Sequence, residues 1–205
     1  MTTISSMKLA LLLLPACLLA QPNKLMNPAA LTEKAPAEFR AKFTTTKGNE
    51  FVIRVVRDWA PLAADRFYNL VKNGFYDGSA FHRVLPGFVV QFGLHANPAI
   101  QAKWQKVPMK DEKVIKSNLL GWVGFAAFGA DSRTTQIYIS LKDNKDLDRQ
   151  GFPPFGEVSR GIGGMARIYG GYSDKPAEPS ILKGGAAYLK RNFPLMDYVV
   201  KAVIE

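Results

Sequence analysis

Hydrophobic and polar positions alternate in two neighbouring segments of the 205-residue chain. Residues 38–46 read EFRAKFTTT, and after a turn at residues 47–49 the β-branched run EFVIRVV occupies residues 50–56. Successive side chains of a strand point to opposite faces, so the alternation favours two strands. The short turn contains Gly48, which predicts that the two strands form a hairpin.

The period changes to that of a helix after this hairpin. Apolar residues recur there at the three- and four-residue spacing that places side chains on one helix face. These residues are Leu62, Ala63, Phe67, Leu70 and Val71. Asp58 is a candidate N-cap, Pro61 suits the first turn, and Gly74 suits a position just past the end. The pattern therefore predicts one amphipathic helix that ends before Gly74.

Short apolar runs dominate the middle of the chain. We predict strands at residues 81–85, 88–92, 119–127, 136–141 and 155–158. The turn Pro86-Gly87 joins the first two of them. Because strands predominate and no long crossover separates them, the pattern indicates a mainly β protein with an antiparallel barrel or sandwich.

The other segments carry weaker signals. Residues 94–118 are polar and irregular, with Trp104 as the expected anchor, and residues 161–169 contain three glycines and predict only a weak helix. The segment 170–185 is expected to be a loop. In the tail, residues 186–205, helical spacing predicts a final helix. Its apolar positions are Leu195, Met196, Val199, Val200 and Val203.

The N-terminus has the pattern of an export signal. Lys8 precedes an apolar run from Leu9 to Ala20, whose length of about 12 residues is short of the roughly 20 that a membrane span needs. Cleavage after Ala20 would release a soluble protein, with residues 1–20 as signal peptide. Alternatively, residues 14–17 (LPAC) resemble a lipobox, with 1–16 removed and Cys17 lipidated. Both alternatives predict export to the periplasm or beyond, and residues 21–36, with three prolines, are predicted to be a linker.

Charge and composition narrow the function further. The formal net charge is +10, but the Lys and Arg residues are scattered without a run of four, which favours a solvated basic surface over a nucleic-acid interface. The chain has one cysteine, so it forms no intrachain disulfide. With two histidines as the other nitrogen or sulfur ligands, it has too few for a Cys/His zinc site. We therefore expect no metal site.

Four segments together resemble the cyclophilin-type peptidyl-prolyl cis-trans isomerases. They are FHRVLPGFVVQFG at 81–93, GFAAFGADSRTTQIYISL at 124–141, LDRQGFPPFGEV at 147–158 and ADRFYNLVKNGFYDG at 64–78. The resemblance covers about residues 37–168, and the tail looks like that of a bacterial exported subgroup with a C-terminal extension from about residue 170. It implies a domain at 37–205 with a closed eight-stranded antiparallel β barrel capped by two α-helices. It also implies a monomer that isomerises proline-containing polypeptides without a cofactor.

The chemistry of an X-Pro bond explains why such a site needs an arginine. Rotation meets a barrier of about 18–20 kcal/mol, and the twisted amide leaves a lone pair on the proline nitrogen. A donor aimed at that lone pair stabilises the transition state more than the ground state. The resemblance implies that Arg83 is this donor, that Gln91 orients a substrate carbonyl and that Phe88 completes the catalytic set.

The same resemblance implies the substrate-binding residues. The proline ring would lie against Phe88 and against Val89, Tyr138, Leu147 and Phe152. Gln136 would support Arg83 or the substrate backbone, Ala126 and Ala127 would line the adjoining groove, and His82 would be structural.

Several of these positions depart from the family pattern. Tyr138 stands where the family usually has Phe, Phe152 where many members have His, and Ala127 where Asn contacts the substrate. Asp146 falls near a Trp that supports cyclosporin binding in some members. We therefore expect activity on short proline peptides with weak cyclosporin sensitivity.

Three functions remain open on the sequence. The first is an exported isomerase that assists protein folding. The second is a proline-peptide binding or chaperone module with little turnover, which the substituted pocket would suit. The third is a structural lipoprotein that uses the fold as a scaffold.

Overall fold

A computed structural model describes residues 23–205 of the chain. The predicted signal segment, including Cys17, lies outside the described residues. The strands are β1 (Glu38–Thr45), β2 (Glu50–Val56), β3 (Arg83–Leu85), β4 (Val89–Phe92), β5 (Trp122–Phe125), β6 (Ile137–Ser140), β7 (Pro154–Arg160) and β8 (Val199–Ile204). The α-helices are α1 (Pro61–Lys72), α2 (Pro98–Trp104), α3 (Asp146–Arg149) and α4 (Glu178–Asn192).

All eight strands belong to one antiparallel sheet, which curls into a half-barrel in the order β3-β4-β6-β5-β7-β2-β1-β8. The expectation of a closed barrel is wrong, because in the described part of the chain the end strands β3 and β8 do not pair with each other. One isolated bridge, between Ala80 and Tyr198, links the segments that precede them. Beyond that bridge the edge of β3 is occupied by another partner, since Val84 N donates to Ser173 O at 3.2 Å.

The concave face of the sheet is filled by aromatic side chains. Phe43 and Phe51 are paired residues of β1 and β2, fully buried, and their rings stack at 4.9 Å. Phe92 of β4 meets both rings edge-on. Because side chains alternate along a strand, this packing turns Gln91, the neighbour of Phe92, to the opposite face.

Helix α1 confirms the predicted span, but its predicted N-cap is wrong. Ala60 occupies that position and no side chain caps the helix locally. The carboxylate of Glu112 accepts instead from Leu62 N at 2.7 Å and Ala63 N at 3.0 Å. Asp58 lies in a preceding turn of 3-10 helix, Arg57–Trp59. A residue about fifty positions away thus satisfies the free N–H groups of the helix.

Helices are more numerous than the two expected. The segment predicted to be irregular contains α2, whose Trp104 is buried as the expected anchor, and the weak helix at 161–169 is a 3-10 helix, Ile162–Arg167. Helix α1 packs on β7 and β8, whereas α2 and α4 pack on each other.

The predicted helix in the tail is wrong. Helix α4 lies earlier, partly inside the predicted loop, and residues Val199–Ile204 form β8, which pairs with β1. Pro194 follows the end of α4, and the β-branched residues after it favour a strand. Their spacing suits both a helix and a strand. Pairing with the free edge of β1 selects the strand.

The described part of the predicted linker, residues 23–36, is packed on the domain. Leu25 is buried, and its carbonyl accepts from Trp104 Nε1 at 2.9 Å. Ala35 N donates to Asp65 Oδ1 at 2.8 Å, and Lys72 pairs with Glu33. These contacts hold the segment against α1 and α2. Within residues 23–205, no helix is long and apolar enough to cross a membrane.

Candidate active site

A row of cross-strand neighbours forms the centre of the candidate site. Arg83 of β3 pairs with Gln91 of β4, Gln91 pairs with Tyr138 of β6, and Tyr138 pairs with Gly124 of β5. Directly opposed residues project from the same face of a sheet. The row therefore lies on the outer face of the half-barrel, opposite the aromatic core.

Polar side chains join the Arg83–Gln91 end of this row to α4. Arg83 Nη1 donates to Gln91 Oε1 at 3.2 Å, and Gln91 Nε2 donates to Gln136 Oε1 at 2.9 Å. Gln136 Nε2 donates in turn to Glu178 Oε1 at 2.9 Å. Gln91 and Gln136 are buried, whereas Arg83 is half-buried and keeps most of its N–H groups for another partner.

An apolar pocket lies beside the arginine. Its floor is the buried cluster of Val89, Tyr138 and Leu147, with Phe88 and Phe152 packed against it. The guanidinium carbon of Arg83 lies 5.9 Å from the centre of the Phe88 ring. The structure thus brings a permanent charge to the edge of a pocket lined with aliphatic and aromatic side chains.

The hydroxyl of Tyr138 is already bound within the protein. It donates to Asn118 Oδ1 at 2.6 Å, and burial raises the pKa of the phenol above its ordinary value of 10. Gly124 makes room for it, because a Cβ at that position would lie 2.4 Å from the hydroxyl oxygen. The pocket therefore presents the ring of Tyr138 and not its hydroxyl.

Two supporting groups hold this wall and were not predicted from the sequence. Asp148 Oδ1 accepts from Asn118 N at 2.8 Å and from Asn118 Nδ2 at 2.7 Å, which fixes the partner of Tyr138. Arg133, which is 5% exposed, lies 5.6 Å from the Phe152 ring and donates to Gly151 O and Asp111. Cation–π contact of this kind stabilises the position of an aromatic ring.

His82 is buried next to the site and is uncharged at neutral pH. Burial lowers the pKa of its imidazole to about 4, which the nearby Arg83 charge reinforces. No described residue hydrogen-bonds to its Nδ1. The histidine therefore adds no second charge beside the guanidinium.

Ala126 and Ala127 lie at the margin of the site, outside the apolar cluster. Both are half-buried, and Ala126 N donates to Gln136 O at 2.9 Å. The next residue, Phe128, is 76% exposed. The two alanines thus extend the site past Gln136 along the end of β5.

Glu178 is the member of the polar chain that the sequence interpretation missed. It lies in the first turn of α4, well past the segments with recognisable motifs. Burial raises the pKa of its carboxyl, and the hydrogen bond from Gln136 opposes that rise. No local pattern at residue 178 distinguishes this glutamate from an ordinary helix-start acid.

Comparison with known families agrees with the fold and the motifs. Residues 40–183 match the model of the family described as cyclophilin type peptidyl-prolyl cis-trans isomerase/CLD. The chain belongs to this family.

The curated relatives of the chain are named peptidyl-prolyl cis-trans isomerases. The chain is 33% identical to peptidyl-prolyl cis-trans isomerase A of Dickeya dadantii over 68% of this chain and 80% of that one. It is 31% identical to a peptidyl-prolyl cis-trans isomerase of Acinetobacter baylyi, over 73% and 85%. With isomerase B of Escherichia coli the identity is 28%, over 77% and 94%.

A solved structure shares the fold. The cyclophilin type peptidyl-prolyl cis-trans isomerase of Cryptosporidium parvum superposes with a TM-score of 0.60 at 17% identity. The match covers 82% of this chain and 98% of that one. The half-barrel with its helices is therefore the cyclophilin fold.

Proposed function

We propose that the protein catalyses cis-trans isomerisation of X-Pro peptide bonds, with Arg83 as the catalytic donor and Gln91 and Phe88 beside it. The observation that carries this proposal is the position of the guanidinium at the edge of an apolar pocket, 5.9 Å from the Phe88 ring. The permanently charged group can donate without a change in its own protonation.

The pocket supplies the first half of the mechanism. A proline ring is apolar and flat enough to lie against Val89, Tyr138, Leu147 and the two phenylalanines of the cluster. Burying it there holds the ring while the preceding carbonyl remains free to rotate. The substrate thus enters the twisted geometry with its proline already immobilised.

The polar chain supplies the second half. As the amide twists, conjugation is lost and the proline nitrogen becomes a hydrogen-bond acceptor. An N–H of Arg83 donates to that lone pair, while Gln91, held between Arg83 and Gln136, orients the substrate carbonyl. No proton is transferred and no covalent bond forms. The donor is preorganised, so its benefit appears mainly in the transition state.

The coupled protease assay on a short X-Pro peptide tests the activity. We expect cleavage of the cis fraction to accelerate in proportion to the protein added, with weak inhibition by cyclosporin. The weak inhibition is expected because Asp146, an exposed charged residue paired with Arg149, offers no apolar surface. If the peptide binds without any acceleration, the protein is a proline-peptide binding module, an alternative that the alanine at position 127 favours.

The cellular role is a second part of the proposal. The apolar run before residue 21 supports export. The resemblance to the family suggests a bacterial exported subgroup with a C-terminal extension, whose members act as monomers on exported polypeptides. Cys17 is a candidate lipid anchor. Mass measurement of the mature N-terminus distinguishes a start at Cys17 carrying acyl chains from a free start at Gln21. A mature protein that retains residues 1–16 would contradict export by either route.

A further inference from the structure

The hydrogen-bond chain behind Arg83 extends beyond the motif segments into α4. Its links run from Arg83 to Gln91 at 3.2 Å, to Gln136 at 2.9 Å and to Glu178 at 2.9 Å. The two amides are buried, so water cannot replace a lost partner freely. A change at Glu178 therefore alters the hydrogen bonding of Arg83 through the two glutamines.

The two ends of this chain have opposite hydrogen-bonding character. A guanidinium has five N–H donors and no acceptor, whereas an ionised carboxylate only accepts. Because Glu178 accepts, Gln136 must turn its NH₂ group towards α4 and its oxygen towards Gln91. Gln91 must then turn its own oxygen towards Arg83. The orientation of both amides follows from the glutamate as much as from the arginine.

Tertiary contacts hold Glu178 at the end of this chain. Ile181, one turn further along α4, is 3% exposed and packs in a cluster with Ala80 and Leu94. Ala186 N donates to Ala96 O at 3.0 Å, at the kink where Gly185 adopts a φ of 54°. A Cβ at Gly185 would lie 2.4 Å from the same carbonyl oxygen. Helix α4 is thus anchored at Ile181 and at its kink beside the segments that flank the site.

We propose that Glu178 is a positioning residue for the isomerase reaction. It acts through Gln136 and Gln91, and it keeps the Gln91 oxygen on the guanidinium so that the remaining N–H groups of Arg83 face the substrate. This inference rests on the proposed function of Arg83. It assigns to α4, a helix outside the motif segments, a part in catalysis.

If Glu178 had only a structural role, its replacement would change stability and not catalysis. An acid in the first turn of a helix interacts favourably with the helix dipole, whatever it contacts. Losing that interaction lowers the stability of α4 but leaves the orientation of Gln91 unchanged. Catalytic constants and the side-chain amide signals of the two glutamines therefore separate the roles.

The experiment compares three variants of the full-length protein. Glu178→Gln keeps an oxygen that can accept from Gln136, whereas Glu178→Lys replaces the acceptor by a donor. Ala177→Lys is the matched control, because this exposed neighbour adds a positive charge at the same helix end. Each variant is assayed for kcat and KM on an X-Pro peptide, and its glutamine side-chain amides are followed by ¹H–¹⁵N NMR.

We expect kcat of Glu178→Lys to fall about tenfold, equivalent to about 1.4 kcal/mol of transition-state stabilisation, with KM little changed. Its Gln91 and Gln136 amide signals should both shift. Glu178→Gln should stay within about twofold of the wild type, as should Ala177→Lys. Should Glu178→Lys unfold, Glu178→Ala takes its place, since it removes the acceptor without adding a donor. We expect Glu178→Ala to show the same loss of kcat and the same shifts of the amide signals.

The proposal is overturned if a folded Glu178→Lys or Glu178→Ala keeps the wild-type kcat and the Gln91 amide signal. It is equally overturned if Ala177→Lys loses as much activity as the Glu178 variants. Arg83→Ala is measured alongside. If that variant alone is as active as the wild type, the proposed function of Arg83 has failed, and the amide signals still report whether Glu178 orients the glutamines.

Discussion

Tyr138 places a hydroxyl in the wall of an apolar pocket. The phenol adds a hydroxyl to an apolar pocket, which would cost free energy if it were left without a partner. Asn118 accepts that hydroxyl at 2.6 Å, and Asp148 fixes Asn118 by two hydrogen bonds. The hydroxyl has its hydrogen-bond partner outside the apolar pocket, so the ring alone defines the pocket wall.

The first prediction concerns Tyr138→Phe. Removing the hydroxyl leaves Asn118 Oδ1 buried without its donor, so we expect the free energy of unfolding to fall by about 1–3 kcal/mol. The kcat/KM on a proline peptide should stay close to the wild-type value because the ring remains. Denaturant unfolding and the coupled assay measure the two quantities. A large loss of kcat/KM with unchanged stability would mean that the hydroxyl contacts the substrate.

Sequence patterns locate some members of the site and miss others for a physical reason. Arg83 and Gln91 lie eight residues apart on two strands joined by a tight turn, so a local motif reveals their pairing. Arg133 reaches the site only through the folded loops, and Glu178 is 42 residues from Gln136. Their roles depend on side-chain contacts between distant segments, which neither periodicity nor motif spacing encodes.

At the element scale, the β3–β4 hairpin determines the geometry of the site. Gly87 has a φ of 69°, which suits glycine, and the turn it forms places Arg83 opposite Gln91 and Leu85 opposite Val89. A shift of one residue would turn the guanidinium into the aromatic core. Here the pattern of the sequence was sufficient, because the turn and both strands lie within a few residues.

The second prediction concerns the start of α1. Glu112→Ala removes the carboxylate that accepts from Leu62 N and Ala63 N. We expect a loss of about 1 kcal/mol, as for other helix N-caps, or about 2–4 °C in Tm for a chain of this size. Asp58→Ala is the control, because Asp58 lies before the helix and does not cap it. Equal losses in both variants would contradict the assignment of the cap to Glu112.

The tail shows where element prediction fails. Its apolar residues suit a helix and a strand alike, and the choice depends on the free edge of β1, more than 150 residues earlier in the chain. The same holds for the open half-barrel, since Ser173 from the loop before α4 occupies the edge of β3. Both outcomes depend on competition between distant segments for one strand edge.

At the scale of the whole molecule, buried ionisable groups couple stability to pH. His82 has a pKa of about 4 in the folded protein, against an ordinary value of 6.5. The unfolded chain therefore binds a proton at His82 between these pH values and the folded protein does not. The stabilising contribution is complete above pH 6.5 and is lost as the pH falls towards 4.

The third prediction concerns the loss of stability in acid that the lowered pKa of His82 causes. Between pH 7 and pH 4, the free energy of unfolding should fall by up to about 3 kcal/mol through His82. Asp65 and Asp148, whose pKa values lie below the ordinary 3.8, add losses only at lower pH. Denaturant unfolding at a series of pH values measures the slope.

His82→Gln should have a shallower slope from pH 6.5 to pH 5. The slope that remains comes from His95, whose pKa burial also lowers, and is opposed by Glu112 and Glu178, whose pKa values burial raises. An unchanged slope in this variant would contradict the role of His82.

The catalytic role of Arg83 is tested by comparing Arg83→Ala with the wild-type protein in turnover and in peptide binding. We expect kcat/KM on an X-Pro peptide to fall about 10²–10³-fold, the loss typical of one transition-state donor. Binding of the peptide should remain within a few-fold, because the apolar pocket of Val89, Tyr138 and Leu147 is intact. Equal turnover in the two proteins would contradict the catalytic role of Arg83.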